Sequence, residues 1–311
     1  MMRLVPGPWA RRGWALPCLT ARCRPAAQAR PRRHQTSGDG VRQLLKPVRR
    51  WRPERQLGWG VDGGCAAVAL ALAWVQSPVV LVSRWRWEAA RYHRPGPQPL
   101  GKRGPNPLTG KRQRRWHAWA ERTDTPWETV DVDGQGGRRK QLWVFSHTAL
   151  GPTRGLPPVG MRVVLLGDPE GKRRREAFCC TDLQAPPGHI LAWVVRRWSV
   201  AGTFEEGRAH LGVETQRHWS DQAIARTTPV LLGLFSLVTL LAWPWSHDGQ
   251  GPVPVTAGYH QAEPPCADGL HLVRRHLWRA RYLLHSTPER EFLPCPPEAL
   301  DLLLHDLSLA A

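Results

Sequence analysis

ILAWVVRRWSVAGTFEEGRAHLG, residues 190–212, is the stretch on which the reading of the fold turns. It holds no Pro, its apolar residues recur at helical intervals, and Gly212 supplies a stop. The spacing predicts one helix from Ile190 to His210. On that helix Arg197 and Ala201 stand four residues apart, and Ala201 and Arg208 seven. At about 100° per residue the three fall within roughly 40° of one another. Two arginines with a small residue between them thus share one stripe.

Extended downstream, the segment 196–242, RRWSVAGTFEEGRAHLGVETQRHWSDQAIARTTPVLLGLFSLVTLLA, resembles the C-terminal catalytic segment of insertion-sequence transposases with a DDE endonuclease domain. The signature of that family is an aromatic residue, then Arg, Glu and Lys or Arg on one helix. Arg197, Ala201 and Arg208 match the last three positions, and Val194 falls on the aromatic one. The family's third catalytic carboxylate is therefore replaced here by the methyl group of Ala201. Glu205 lies one turn further on, about 6 Å along a helix axis. The family carries an acid there in addition to its catalytic glutamate, so the resemblance gives Glu205 an orienting role.

Upstream, LGWGVDGGCAAVALALAWV (57–75) reads as a short strand, an Asp, a Gly pair and an apolar helix. Asp62 would then sit at the carboxyl end of a strand, where open α/β sheets place their chemistry. An ordinary Asp-Gly-Gly turn is the alternative reading of those residues. The resemblance makes Asp62 the second catalytic aspartate and a metal ligand. RRHQTSGDGVRQLLKPVRRW (32–51) resembles the family segment between the first and second aspartates. It reads as a basic loop and a helix with Asp39 as N-cap. The first aspartate is then expected upstream of Met1.

Further along, SPVVLVSRWRW (77–87) reads as a buried strand, and residues 127–145 as a hairpin around GQGG. MRVVLLG and EAFCCTDL read as two more strands. Asp168 and Asp182 look like turn residues. Between the 77–87 strand and the 127–145 hairpin, residues 91–115 are rich in Pro, Gly, Lys and Arg and read as an exposed loop. Lys102, Arg103, Lys111, Arg112, Arg114 and Arg115 could pair with DNA phosphates, or be a solvated charge run. Ser220 reads as the cap of a helix ending near Pro229, and residues 229–243 as a fully buried helix. Two further helices follow a Pro/Gly-rich linker.

A formal net charge of +19 over 311 residues points to a polyanionic partner, nucleic acid before membrane. A GC-rich coding sequence would produce the same excess of Arg, Trp, Gly and Pro. The seven Cys show no paired metal spacing. Cys179 and Cys180 are expected on opposite sides of one strand. Thiols in this pattern indicate a reducing, cytoplasmic setting. Pro6, Pro8, Arg11, Arg12 and Pro17 leave the N-terminus without the continuous apolar run of a signal peptide, and no membrane span is expected.

Together these readings predict an α/β protein, and the resemblance specifies an RNase H-like one. That implies a mixed sheet flanked by helices, a β-rich insertion, and missing N-terminal strands. The expected segments are a partial core over 1–83, a basic β-rich insertion over 84–165, the rest of the core over 166–243, and a linker with C-terminal helices over 244–311. By the resemblance, the activity is cleavage and joining of double-stranded DNA at transposon ends, with Mg²⁺ or Mn²⁺ bound at Asp62. Arg197 and Arg208 would contact phosphates, and the chain could form a homodimer. Without the first aspartate and with Ala201 at the glutamate position, the expectation is a truncated, degenerate and inactive copy. The alternative is a non-catalytic basic DNA-binding protein with the same fold.

Overall fold

The computed structural model describes residues 1–6, 13–21, 36–63, 67–97, 104–134, 139–153, 155–167, 175–215, 217, 220–245, 264–284 and 296–310. In order, the elements are β1 (Met2–Val5), β2 (Trp14–Pro17), α1 (Ser37–Trp51), β3 (Leu57–Val61), α2 (Ala67–Trp74), β4 (Val79–Arg84) and α3 (Trp116–Ala120). They continue with β5 (Glu128–Asp133), β6 (Arg139–Thr153), β7 (Leu156–Gly167), β8 (Glu176–Cys180), α4 (Pro187–Arg197), α5 (Ser199–Leu211), α6 (Asp221–Trp245), α7 (Cys266–Leu284) and α8 (Pro297–Ala310). The chain forms two compact units, Ala21–Trp198 and Met1–Thr20 with Ser199–Ala311. This division cuts across the four segments expected from sequence, because β5, β6 and β7 join the same sheet as β3 and β4.

The Ala21–Trp198 unit is a mixed α/β layer structure. Its six strands run in the order β3-β4-β8-β7-β6-β5. β3 and β4 are parallel and every other pair is antiparallel. The alternation of apolar residues along these strands sends them to two faces. Met161, Val163 and Leu165 of β7 join Leu70 and Ala71 of α2 and Trp116 in one core. Val164 of the same strand, with Val82, Phe178, Ile190 and Leu191, forms the second core under α4. Each side chain so buried stabilises by about 1.5–3 kcal/mol. Cys179 and Cys180 fall into opposite cores, and both thiols are free. α1 opens with a capping box in which Thr36 is the cap and Asp39 lies inside the first turn, correcting the expectation that Asp39 is the cap itself.

The predicted exposed loop is partly buried. Arg91 is only 2% exposed, its guanidinium stacked 3.3 Å from the Trp116 ring centroid. Its Nη2 donates to Arg114 O at 2.5 Å. Gln113 Nε2 donates to Thr148 O, and His147 Nε2 lies 2.8 Å from Gln113 Oε1. An amide oxygen only accepts, so Nε2 is the protonated ring nitrogen. Gln113 thus ties one end of the basic segment to β6, and the backbone bonds between Tyr92 and Leu150 tie the other, whereas Lys111, Arg112, Arg114 and Arg115 remain exposed. Lys102, Arg103 and Asp168 lie outside the described residues.

Among its described residues the second unit is an antiparallel β1–β2 pair with four helices. Thr203 Oγ1 of α5 donates to Ala15 O and Ser236 Oγ of α6 to Pro17 O, each at 2.7 Å. Trp14 packs against Phe235 with ring centroids 5.9 Å apart. α5 stops at Gly212, whose φ of +70° is the left-handed conformation that glycine adopts without strain. The helix predicted to end near Pro229 instead continues through it to Trp245. Ser220 does begin that helix, accepting from Ala223 N at 3.1 Å. An interior Pro costs about 3 kcal/mol. Burial of Leu232, Phe235, Val238 and Ala242, at about 1.5–3 kcal/mol for each large side chain, offsets it.

Candidate functional site

The 190–212 segment is two helices, not one. α4 ends at Arg197, and Trp198 N donates to Val195 O at 3.0 Å, a three-residue turn that tightens the backbone before α5 begins at Ser199. The two helices bury different faces. α4 buries Ile190 and Leu191 against the sheet, while α5 buries Thr203 and Gly207 in the other unit. The single stripe expected for Arg197, Ala201 and Arg208 is therefore divided. Ala201 is exposed on α5, and Arg208 Nη1 donates to Glu214 Oε2 at 2.9 Å within its own unit.

Arg197 and Asp62 are brought together. β3 runs parallel to β4 and ends at Val61, which leaves Asp62 at its carboxyl end with a side chain 74% exposed. Arg197 comes from the last turn of α4, and its Nη2 stands 4.0 Å from Asp62 Oδ1. This is a long ion pair outside hydrogen-bond range. The stem of Arg197 lies over Gly60: a Cβ built there would stand 3.5 Å from Cγ and Cδ of Arg197, an ordinary van der Waals contact. The Arg197 stem thus runs along the bare backbone of β3. On the next residue the guanidinium meets an indole, with Arg197 Cζ 5.7 Å from the Trp198 ring centroid.

Sequence reasoning missed a second charged pair in the same place. Arg84, the last residue of β4, bonds Glu176, the first of β8, at 2.6 Å. Asp62, Ser83, Arg84, Glu176, Trp193 and Arg197 help to line a cavity of about 180 Å³. The signal lay in the period-2 pattern: residues 176, 178 and 180 share one face of β8, and 82 and 84 one face of β4. The pairing of Arg84 with Phe178 joins the two faces, and that register is non-local. Asp182 has the structural part expected of it, accepting from Gln184 N at 2.9 Å in a turn. None of Lys111, Arg112, Arg114 and Arg115 lines this cavity.

The donor set does not fit a two-ion centre. Asp62 faces Arg197, and Glu176 is engaged by Arg84. Among the described residues no three His, Cys, Asp or Glu side chains are grouped to hold a metal ion. What the arrangement offers is two guanidinium groups at the rim of an aromatic-walled cavity, each beside a carboxylate. No protein-family model matches this chain, and no curated protein matches it.

Proposed function

We propose that the chain is a DNA-binding protein of transposase descent that no longer cuts or joins strands. The observation that carries this reading is the pairing of Asp62 with Arg197 at the carboxyl end of the parallel β3–β4 pair. That position matches the second aspartate and the signature arginine of the resemblance. Arg197 and Arg84 supply guanidinium groups able to take a phosphate bidentately, and Arg208, Lys111, Arg112, Arg114 and Arg115 add exposed charge. A net charge of +19 favours a duplex partner, transposon ends by descent, bound with little sequence preference in the cytoplasm and away from membranes. Mg²⁺ or Mn²⁺ would be held only weakly, because the single exposed carboxylate here already faces a cation.

The test is fluorescence anisotropy with a duplex of random sequence across a salt series. Affinity should fall about tenfold or more between 50 and 200 mM salt. An affinity unchanged over that range refutes the phosphate-contact reading. The alternative, a non-catalytic basic DNA-binding protein using the same fold, shares that outcome. The DNA around the gene separates the two: flanking inverted repeats are expected of a transposase remnant and not of the alternative.

A further inference from the structure

α7 and α8 of the second unit meet along one stripe of each helix. On α7, His271, Arg275 and Arg279 stand four residues apart; on α8, Asp301, Leu304 and Ser308 stand three and four apart, so each set shares a face. The helices run antiparallel. Ser308 meets His271 towards one end, and Asp301 stands 3.9 Å from Arg275 and 3.6 Å from Arg279 towards the other. The His271 end is closed, with His271 7% and Ser308 1% exposed. Ser308 has one hydroxyl proton and gives it to His305 O at 2.8 Å. His271 Nδ1 is therefore the donor in its 2.6 Å contact with Ser308 Oγ, and the neutral ring carries its lone pair on Nε2. The His305 imidazole stands edge-on to the same ring, with centroids 5.0 Å apart. A second proton on His271 leaves the Ser308 bond in place but puts a cation into a buried seam beside another imidazole.

We propose that α8 is a strap released by acid: it holds α7 while His271 is neutral and lets go when that imidazole takes up a proton. The charges that act on His271 are cationic, those of His305 on α8 and of Arg275 and Arg274 on its own helix. The acids of this unit are placed otherwise. Asp301 lies between Arg275 and Arg279, and Glu298 and Asp306 of α8 are exposed. On α5, Glu206 faces His210 at 3.5 Å and Glu205 is exposed. Asp268, one turn before His271, is buried and already partnered. α6, expected to be wholly buried, turns only one side inward and leaves Val230, Leu237 and Leu240 open. It is the one described helix long and apolar enough to cross a membrane, yet its inward side packs Val238 and Ala242 on Leu272 and Val273 of α7. With no ionisable side chain from Thr227 to Trp245, it brings no charge to the seam.

Burial first, then those cationic charges, hold the His271 imidazole below its usual 6.5, and Ser308 offsets this only in part. Once α8 lifts away, the ring returns towards 6.5. Below that pH the released state binds a proton that the docked state does not, so docking weakens as pH falls. Release leaves Arg275 and Arg279 without Asp301 and uncovers the ground beneath Leu304, which is 1% exposed in the docked helix.

The experiment is hydrogen–deuterium exchange of the full chain at about pH 7 and about pH 5.5, each rate divided by the intrinsic rate at that pH. Protection of the α8 amides should fall severalfold, about eightfold being the ceiling for one imidazole that returns to 6.5 on release. His271→Asn keeps an N–H donor near the Nδ1 position and has nothing to titrate, so its α8 protection should be the same at both pH values. Unchanged α8 protection in the parent overturns the proposal, as does an equal loss in parent and His271→Asn. A loss shared equally by α5 and α6 also overturns it, because the unit would then be opening as a whole. If His271→Asn leaves α8 unprotected already at neutral pH, His305→Gln decides. With the facing charge removed, it should lose clearly less protection than the parent, and an equal or greater loss refutes the strap.

Discussion

Replacing His147 with Gln should remove most of one pH-dependent contribution to stability. Burial, with the charges of Arg91, His93 and Arg162 nearby, pushes the His147 imidazole down from its usual 6.5 to about 4. Between those values the unfolded chain binds a proton that the folded protein does not, so stability falls as pH falls. The shift of about 2.5 units corresponds to about 3 kcal/mol in total, of which about 2 kcal/mol is already lost at pH 5. His147→Gln keeps an N–H donor within reach of Gln113 Oε1 and has nothing to titrate. Urea unfolding of parent and variant at pH 7 and pH 5 isolates the effect, because the other titrating groups are common to both. The parent should lose about 1.5–2 kcal/mol more than the variant over that interval. Equal losses would refute the buried, neutral imidazole, and a greater loss in the variant would reverse its sign.

Other outcomes follow from the same contacts. Purified protein with Mg²⁺ or Mn²⁺ should not cleave a plasmid carrying candidate transposon ends above an Asp62→Ala control, and Ala201→Glu alone should not rescue cleavage. Arg197→Ala should reduce the slope of log affinity against log salt by about 1, read by anisotropy. Gly151→Ala places a Cβ 2.7 Å from Trp85 Cη2 and 3.0 Å from Val68 Cγ2, and should destabilise by about 1–3 kcal/mol in urea unfolding. Trp116→Ala empties a fully buried indole, removes the surface on which Arg91 stacks, and should destabilise by about 3–5 kcal/mol by the same measurement.

The local features of the fold were legible in the sequence where one segment carried its own signal. The strand before Asp62, the antiparallel β5–β6 pair, the opposed Cys179 and Cys180, and the Gly212 stop all rest on period and turn chemistry, whereas the GQGG turn lies largely outside the described residues. Failures came where a distant partner overrode the local pattern. Ile190–His210 has helical periodicity throughout, yet its two halves pack on different units and part at Trp198. Arg91 reads as a solvated loop residue, yet the Trp116 ring and the Arg114 carbonyl take up its buried guanidinium. Pro229 reads as a stop, but apolar contacts beyond it carry the helix on. At the candidate site, Asp62 and Arg197 were singled out by their motifs. Arg84 and Glu176 were hidden in the register of an antiparallel pair formed by strands far apart in sequence.

The charge pattern around Asp62 bears on what a phosphate would encounter. Arg84 is held by Glu176 at 2.6 Å, within bonding distance, whereas Arg197 stands 4.0 Å from a largely exposed Asp62. A phosphate approaching the cavity therefore competes with a formed hydrogen bond at Arg84 and with only a loose, solvent-screened attraction at Arg197. Arg197 is the less tightly paired of the two guanidinium groups, although its side chain is the less exposed, 31% against 49% for Arg84. Neutralising its carboxylate partner with Asp62→Asn should tighten DNA binding, because it removes a like charge facing the phosphate and costs little ion-pair energy. Glu176→Gln should tighten it too, by freeing Arg84, and should also loosen the β4–β8 pairing. Anisotropy and thermal unfolding measured together separate these cases: Asp62→Asn should raise affinity with unfolding unchanged, whereas Glu176→Gln should raise affinity and lower the unfolding temperature. A centre in which Asp62 held a divalent ion against the phosphate would behave oppositely. There Asp62→Asn would weaken binding in Mg²⁺ and leave it unchanged in chelator. That result would show that the aspartate acts as a ligand and not merely as the counter-charge of Arg197.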